Sequence, residues 1–434
     1  MQLDEEIQKI LDVTWHQRSA RSSLVRWFEV CEKENWGKIP KRMSSLVYLF
    51  GASWYFTRYV FFRGQRGAEL IDQALSESFS FSQLNQRLEP ALQAKVPEQG
   101  FECLRILKNE IMLQILIAHL VGSLDQEQTE RKLTMLADAT LKTALKLSGL
   151  HEVDDCRIAV LGMGRMAGYE MTFGSDLDLI FLFDSSSEES IADLSRKVRM
   201  LLRHLAVASS SGLLYEVDMR LRPHGTSGAL LTASRSFIEY HRTEKEVWER
   251  QMMTRCRCVC DEAKLGFDTL GQVMPHIYTH YDTEHLRNEI ANMRQRVLSE
   301  KGSPRAKLDI KRGKGGIMDI DFLTHFLQLK HGFQMESLMT SSTRQALRIL
   351  SEHCIIEPAV GAGLLKAYDF LKYIESCVRL FDLKPVSTIS ANHQENDSVA
   401  MATGFGHDTA AFMEKYSDVT GAVRHDFERI LAMH

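Results

Sequence analysis

Residues 157–184 read RIAVLGMGRMAGYEMTFGSDLDLIFLFD, and this stretch decides the fold. An apolar run ends in Gly162-Met163-Gly164-Arg165, and a second apolar run starts at Asp176. Runs of this length bounded by glycine and turn residues read as strands, and the segment Arg165 to Met171 between them reads as a short helix. Side chains alternate along a strand, so Asp176 and Asp178 point to one face while Leu177 and Leu179 point to the other. Two carboxylates on one side repel unless a cation lies between them, and hard oxygen donors suit magnesium. The plainer reading of an isolated Asp-x-Asp is a solvated strand edge.

The segment LLYEVDMRLRP, residues 213–223, strengthens the first reading. As a third strand it places Glu216, Asp218, Arg220 and Arg222 on one face, and Tyr215, Val217, Met219 and Leu221 on a core-facing side. Acids beside arginines can hold metal ions and clamp phosphate oxygens, although mutual salt bridges are the alternative. Asp176, Asp178 and Asp218 would form the cage of a two-metal displacement, with Asp218 as candidate base. Arg165, Arg220 and Arg222 would neutralise phosphate charge. Gly162, Gly164 and Ser175 would let backbone N–H groups and a hydroxyl approach the phosphates.

The rest of the chain frames this unit. With 434 residues, two or three domains are expected. Residues 1–122 read as a helical domain, 123–262 as the domain carrying the strands, and 263–434 as a second helical domain. The fold class is therefore α+β, mostly helical, with a mixed sheet between two helical domains. A helix from Asp125 places Leu133, Leu136, Ala137, Leu141 and Leu145 near one face, and Ser148-Gly149 stops it. The basic loop DIKRGKGG precedes the helical segment IMDIDFLTHFLQLKHG, and could bind a triphosphate or remain a solvated turn.

Composition excludes several classes. The chain is 44% hydrophobic and 25% charged, unlike a disordered protein. A net charge of −4 supplies no global basic field for nucleic acid. The uncharged stretch Met43 to Thr57 is shorter than the roughly 20 residues that cross a bilayer, and reads as a buried helix. The N-terminus lacks the apolar core of a secretory signal, so a cytoplasmic location without a membrane is expected. Cys256, Cys258 and Cys260 have a spacing that differs from the usual zinc-site gap, and read as reduced structural thiols. His224 and His325 read as satisfied or exposed side chains, and Trp248 as a candidate core anchor.

The order Gly174-Ser175, Asp176, Asp178 and Asp218 resembles the DNA polymerase beta-like nucleotidyltransferase superfamily. More specifically, LGMGRMAGYEMTFGSDLDLIF, LLYEVDMRLRPHGTSG, VWERQ and DIKRGKGGIMDIDFL resemble successive blocks of bacterial glutamine synthetase adenylyltransferases. The resemblance continues through LFGASWYFTRYVFFRG and FMEKYSDVTGAVRHDFERIL. It implies a polymerase beta-like sheet, Mg²⁺ as cofactor, ATP as substrate, and a tyrosine of glutamine synthetase as acceptor, with a PII-type signalling protein as a further partner. Members usually carry two modules, one adding AMP and one removing it by phosphorolysis, and this sequence has one. The stretch SGLLYEVD with the later basic loop favours addition. Removal, a catalytically silent binding module and, less readily, a template-independent RNA nucleotidyltransferase are the alternatives. Departures from the family pattern are Arg165 for lysine, Met166-Ala167 for Leu-Gly, and Asp321 for glutamate.

Overall fold

A computed structural model describes residues 5–34, 43–73, 80–243, 246–261, 263–300 and 306–433. The N-terminal part is helical, and its longest helix is Pro97–Leu120. Beside it runs the helix Gln126–Leu147, opened by a capping box in which Asp125 accepts from the Gln128 N–H at 2.7 Å. Its expected apolar face is buried as the sequence periodicity requires.

The stretch from Met43 to Thr57 differs from the single helix expected of it. It forms parts of two helices, Met43–Ala52 and Trp54–Arg63, separated at Ser53. The extended Ser53 caps the second helix by accepting from Phe56 N–H, and its hydroxyl donates to Leu380 O at 2.8 Å. A local hydrogen-bonding side chain thus interrupts an apolar run. Among the described residues, no helix is long and apolar enough to cross a membrane.

The mixed sheet contains β1 (Arg157–Met163), β2 (Leu177–Asp184), β3 (Val217–Asp218), β4 (Leu231–Ala233) and β5 (Cys256–Asp261). Its order is β3-β2-β1-β5, and β4 also pairs with β2. β1 runs antiparallel to both β2 and β5, whereas β3 and β4 run parallel to β2. Two helical layers cover the sheet, which is why its central strands are apolar on both faces. Val160, Leu177, Leu179 and Phe181 join the core shared with the N-terminal helices. Leu161, Met163, Ile180 and Leu182 join the core shared with the C-terminal helices. The expected α+β class, with a mixed sheet between helical layers, is the observed one.

The strand expectations need two corrections. The third strand is only Val217–Asp218, because the chain turns at Met219 and closes a loop that returns to β4. β4 and β5 were not anticipated; Cys256, Cys258 and Cys260 lie on β5, and all eight cysteines are free.

Farther along, β6 (Lys307–Asp309) and β7 (Thr388–Ser390) form an antiparallel ribbon. Asp309 Oδ1 accepts from the backbone N–H groups of Lys311 and Arg312 at 2.9 and 2.8 Å. Gly315 N–H donates to Asp319 Oδ2 at 2.7 Å, at the start of the helix Ile317–His331. The basic loop is therefore a fixed turn, pinned at both ends.

Candidate active site

Asp176 and Asp178 have the same parity as Ile180 and Leu182, so they face the C-terminal helical layer. The parallel pairing of β2 with β3 sets Asp178 directly beside Asp218. Leu177 N–H donates to Glu216 O at 2.9 Å and continues that pairing. One ligand oxygen from each of Asp176, Asp178 and Asp218 lies within 4.8 Å of the others. The three acids are thus gathered as expected, although Asp218 owes its position to one short ladder.

Burial, followed by the charges of Asp176 and Asp218, pushes the Asp178 carboxyl up to about 7. Lys311 and Arg165 oppose that rise without cancelling it. Asp218 is shifted the other way, because Arg220 hydrogen-bonds its carboxylate. Crowded carboxylates without enough cationic compensation form a donor set suited to a hard divalent cation. Magnesium would fit these residues, which supply a cluster of carboxylate oxygens on one face of the sheet.

The expected phosphate clamps are placed otherwise. Arg165 donates to Glu375 at 2.7 Å and to Thr172 Oγ1 at 3.2 Å. Arg220 holds Asp218 through Nε at 2.8 Å and through its backbone N–H at 2.8 Å. Arg222 braces its own loop, donating to Met219 O at 2.7 Å and Gly228 O at 3.1 Å. The alternation that assigned Arg220 and Arg222 to the acidic face ends with β3, which explains the difference.

Gly162 lies inside the sheet. It pairs with Leu179 on one side and Arg257 on the other, and an added Cβ would meet Val259 at 2.6 Å. Its small size serves sheet packing. Gly164 is different: its φ is +57°, and a Cβ there would lie 3.0 Å from Asp178 Oδ2. Bare backbone at this point keeps access to Asp178. Ser175 turns its hydroxyl inward, accepting from Thr172 N–H at 2.9 Å and stabilising the turn before Asp176.

Lys311 is a cation that the candidate clamps omitted. Its half-buried side chain lies among the charges of Arg165, Glu375, Arg379 and Asp321, and it acts on Asp178. The nearby Arg165 guanidinium, with burial, lowers its ammonium to about 8. The basic loop was legible in the sequence, but its inward direction was not. Trp248, expected as a core anchor, is 44% exposed.

Asp321 accepts from Arg255 at 3.1 Å and Thr343 Oγ1 at 2.9 Å. Arg255 also pairs with Glu170, whose carboxylate accepts from Tyr368 at 2.8 Å. Lys372 donates to Glu170 O at 2.8 Å. This buried network ties the sheet to the C-terminal helices beside the acids.

Residues 43–272 match the family model for glutamate-ammonia ligase adenylyltransferase. Residues 284–431 match the model for GlnD PII-uridylyltransferase. A bifunctional glutamine synthetase adenylyltransferase/adenylyl-removing enzyme from Chromobacterium violaceum is 29% identical over 360 residues, covering 80% of this chain and 40% of the relative. A Streptomyces avermitilis protein of the same name is 27% identical over 312 residues, covering 70% and 31%. The chain thus spans less than half the length of these curated relatives.

Proposed function

The chain belongs to the family of glutamate-ammonia ligase adenylyltransferases, and from that premise we propose that it transfers AMP from ATP to a tyrosine of glutamine synthetase. The observation that carries this reading is the convergence of Asp176, Asp178 and Asp218 on one face of the sheet, with ligand oxygens within 4.8 Å. Family membership supports AMP as the transferred group, and the relatives' name supports glutamine synthetase as the acceptor protein.

The three aspartates would hold magnesium, which when bound supplies positive charge for phosphate oxygens and acidity for an acceptor hydroxyl. Lys311 meets phosphate charge from the C-terminal wall, and Gly164 leaves room beside Asp178. The acceptor oxygen attacks the α-phosphorus, a P–O bond forms, and pyrophosphate leaves with the electrons of the broken bond. A tyrosine hydroxyl has a reference pKa of about 10, so its proton must be drawn away near neutral pH. Asp218 receives that proton once Arg220 releases it; the Arg220 side chain is 73% exposed. Arg165 orders the wall behind Asp178 through Glu375 and Thr172.

Removal is the second reading, because the relatives' name includes both activities. In that direction a phosphate oxygen attacks the phosphorus of AMP-tyrosine, the tyrosine oxygen leaves with the electrons of the broken P–O bond and takes up a proton, and ADP is the product. The match of residues 284–431 to a PII-uridylyltransferase model supports a PII-type signalling protein as an additional partner. Use of ATP and glutamine synthetase supports a cytoplasmic site of action.

Incubation with glutamine synthetase, Mg²⁺ and α-labelled ATP tests the direction. Label on the synthetase supports addition, whereas phosphate-dependent loss of prebound label as ADP supports removal. Binding of glutamine synthetase with neither reaction and no Mg-ATP binding would favour a silent module.

A further inference from the structure

The loop between β6 and the helix Ile317–His331 has two sides, and its cations divide between them. Lys311 lines a cavity beside the catalytic acids, where Gly164 also forms the wall. Arg312 and Lys314 line a different cavity, of about 440 Å³, whose walls also include β6 and the helix Thr409–Met433. Gly315 seals the seam between loop and helix: its φ is +70°, and an added Cβ would overlap Thr420 O at 1.8 Å. The two cavities are thus the inner and outer sides of one pinned turn, and Gly164 places Asp178 at the inner one.

The outer cavity gathers three cations, Lys307, Arg312 and Lys314. Among the described residues, none of these three side chains has an acidic partner. Asp309, which belongs to the same wall, is committed to the turn: its Oδ1 accepts from the Lys311 and Arg312 N–H groups and from Ser387 Oγ at 3.2 Å. Tyr416 supplies a further donor. It is 7% exposed, yet among the described residues its hydroxyl has no hydrogen-bond partner and is open rather than sealed in protein. Burial, then the charge of Asp309, raises that hydroxyl above its ordinary value, so it stays protonated and can donate. Like charges gathered without acids repel one another, and an entering anion relieves the cost. A guanidinium, two ammonium groups and a hydroxyl match the many acceptor oxygens of phosphate groups. A cavity within the range of about 300–1,000 Å³ suits a small molecule rather than a length of polymer.

We propose that the outer cavity is a second anion site, which binds a small molecule carrying two or more phosphate groups through Lys307, Arg312 and Lys314, with Tyr416 donating to a phosphate oxygen. It is a place for an effector rather than for the reacting nucleotide, because the acids lie on the other side of the loop. Lys311 and Arg312 are neighbours in the pinned turn, so an occupant outside bears on the same backbone that sets Lys311 inside. The site stands apart from the direction of AMP transfer and from the transfer itself.

The test uses inorganic tripolyphosphate as the probe, with the whole 434-residue chain in metal-free buffer, followed by calorimetry. Without magnesium the crowded aspartates repel a polyanion, which leaves the outer cavity as the favoured place. Arg312→Gln and Lys314→Gln should each weaken binding by about tenfold, the loss of one charge-assisted contact, and the double variant should weaken it further. Tyr416→Phe, which keeps the ring, should weaken binding by about threefold. Asp178→Asn should leave the affinity unchanged. Absence of binding by the wild type, or wild-type affinity in the double Arg312→Gln, Lys314→Gln variant, overturns the site. Tighter binding in Asp178→Asn also overturns it, since the anion would then lie beside the catalytic acids. Citrate binding as tightly as tripolyphosphate would overturn the phosphate assignment.

Discussion

Two groups of carboxylates lie near each other in this protein, and their electrostatics are opposite. At Asp178, burial and the neighbouring acids push the carboxyl up to about 7. At Glu170, burial alone would raise the carboxyl, but Arg255 foremost, with Lys372 and Arg344, holds it down to about 2. The first group is under-compensated and opens to a cavity through Gly164. The second is enclosed, with Arg255, Tyr368 and the Thr343 backbone N–H satisfying Glu170. Like charges held together with too little cationic compensation indicate a ligand-binding demand, whereas the same residue type fully paired indicates structural joining.

The strongest break in this contrast is Asp178→Asn. AMP transfer should fall by about a thousandfold or more if metal-assisted displacement is the chemistry. The thermal unfolding midpoint should hold or rise, because a crowded negative charge is removed. Retained full transfer with Mg²⁺ would remove the catalytic assignment.

Arg255→Met should do the reverse and act first on stability. Removing one partner of a buried ion pair costs about 3–5 kcal/mol, because Glu170 and Asp321 lose their shared cation. Denaturant unfolding followed by circular dichroism should show an earlier transition. A stability equal to the wild type would mean that water or another cation replaces Arg255.

Lys311→Met should weaken Mg-ATP binding by about tenfold, the loss of one charge-assisted phosphate contact. Calorimetry at two salt concentrations checks this, with a smaller salt dependence expected in the variant. Unchanged affinity would place Lys311 outside the phosphate path.

A finer test uses pH. Glu170 is lowered from an ordinary value of 4.5 to about 2, so its ionised form stabilises the fold above about 4.5, and that contribution is lost as pH falls through about 2. The stability gap between wild type and Glu170→Gln should therefore be largest above pH 4.5 and shrink towards pH 2. Thermal melts across that range measure it. A gap that widens on acidification would contradict the pairing.

The comparison also shows what sequence can carry. Asp176 and Asp178 were legible because strand alternation is a local rule, and the helix ending at Ser148-Gly149 was legible because its period and stop signal are local. Asp218 was identified through a longer strand than exists, yet its register beside Asp178 preserves its place. The extrapolated alternation does not reach Arg222, where the chain has already turned and the guanidinium bonds its own loop. β5 gives no clear strand signal because cysteines alternating with Arg257, Val259 and Asp261 resemble neither an apolar strand nor a turn.

By itself the sequence determined the two central strands, the helical surroundings and the acids that could share a cation, because backbone periodicity sets which neighbouring side chains share a face. Only the tertiary structure decided which arginines were already paired, that Lys311 turns inward, and that Arg312 and Lys314 meet Tyr416 around a cavity on the loop's other side. Those outcomes depend on charges and surfaces brought together from distant parts of the chain, where burial sets the energy of each pairing and no local period records the partner.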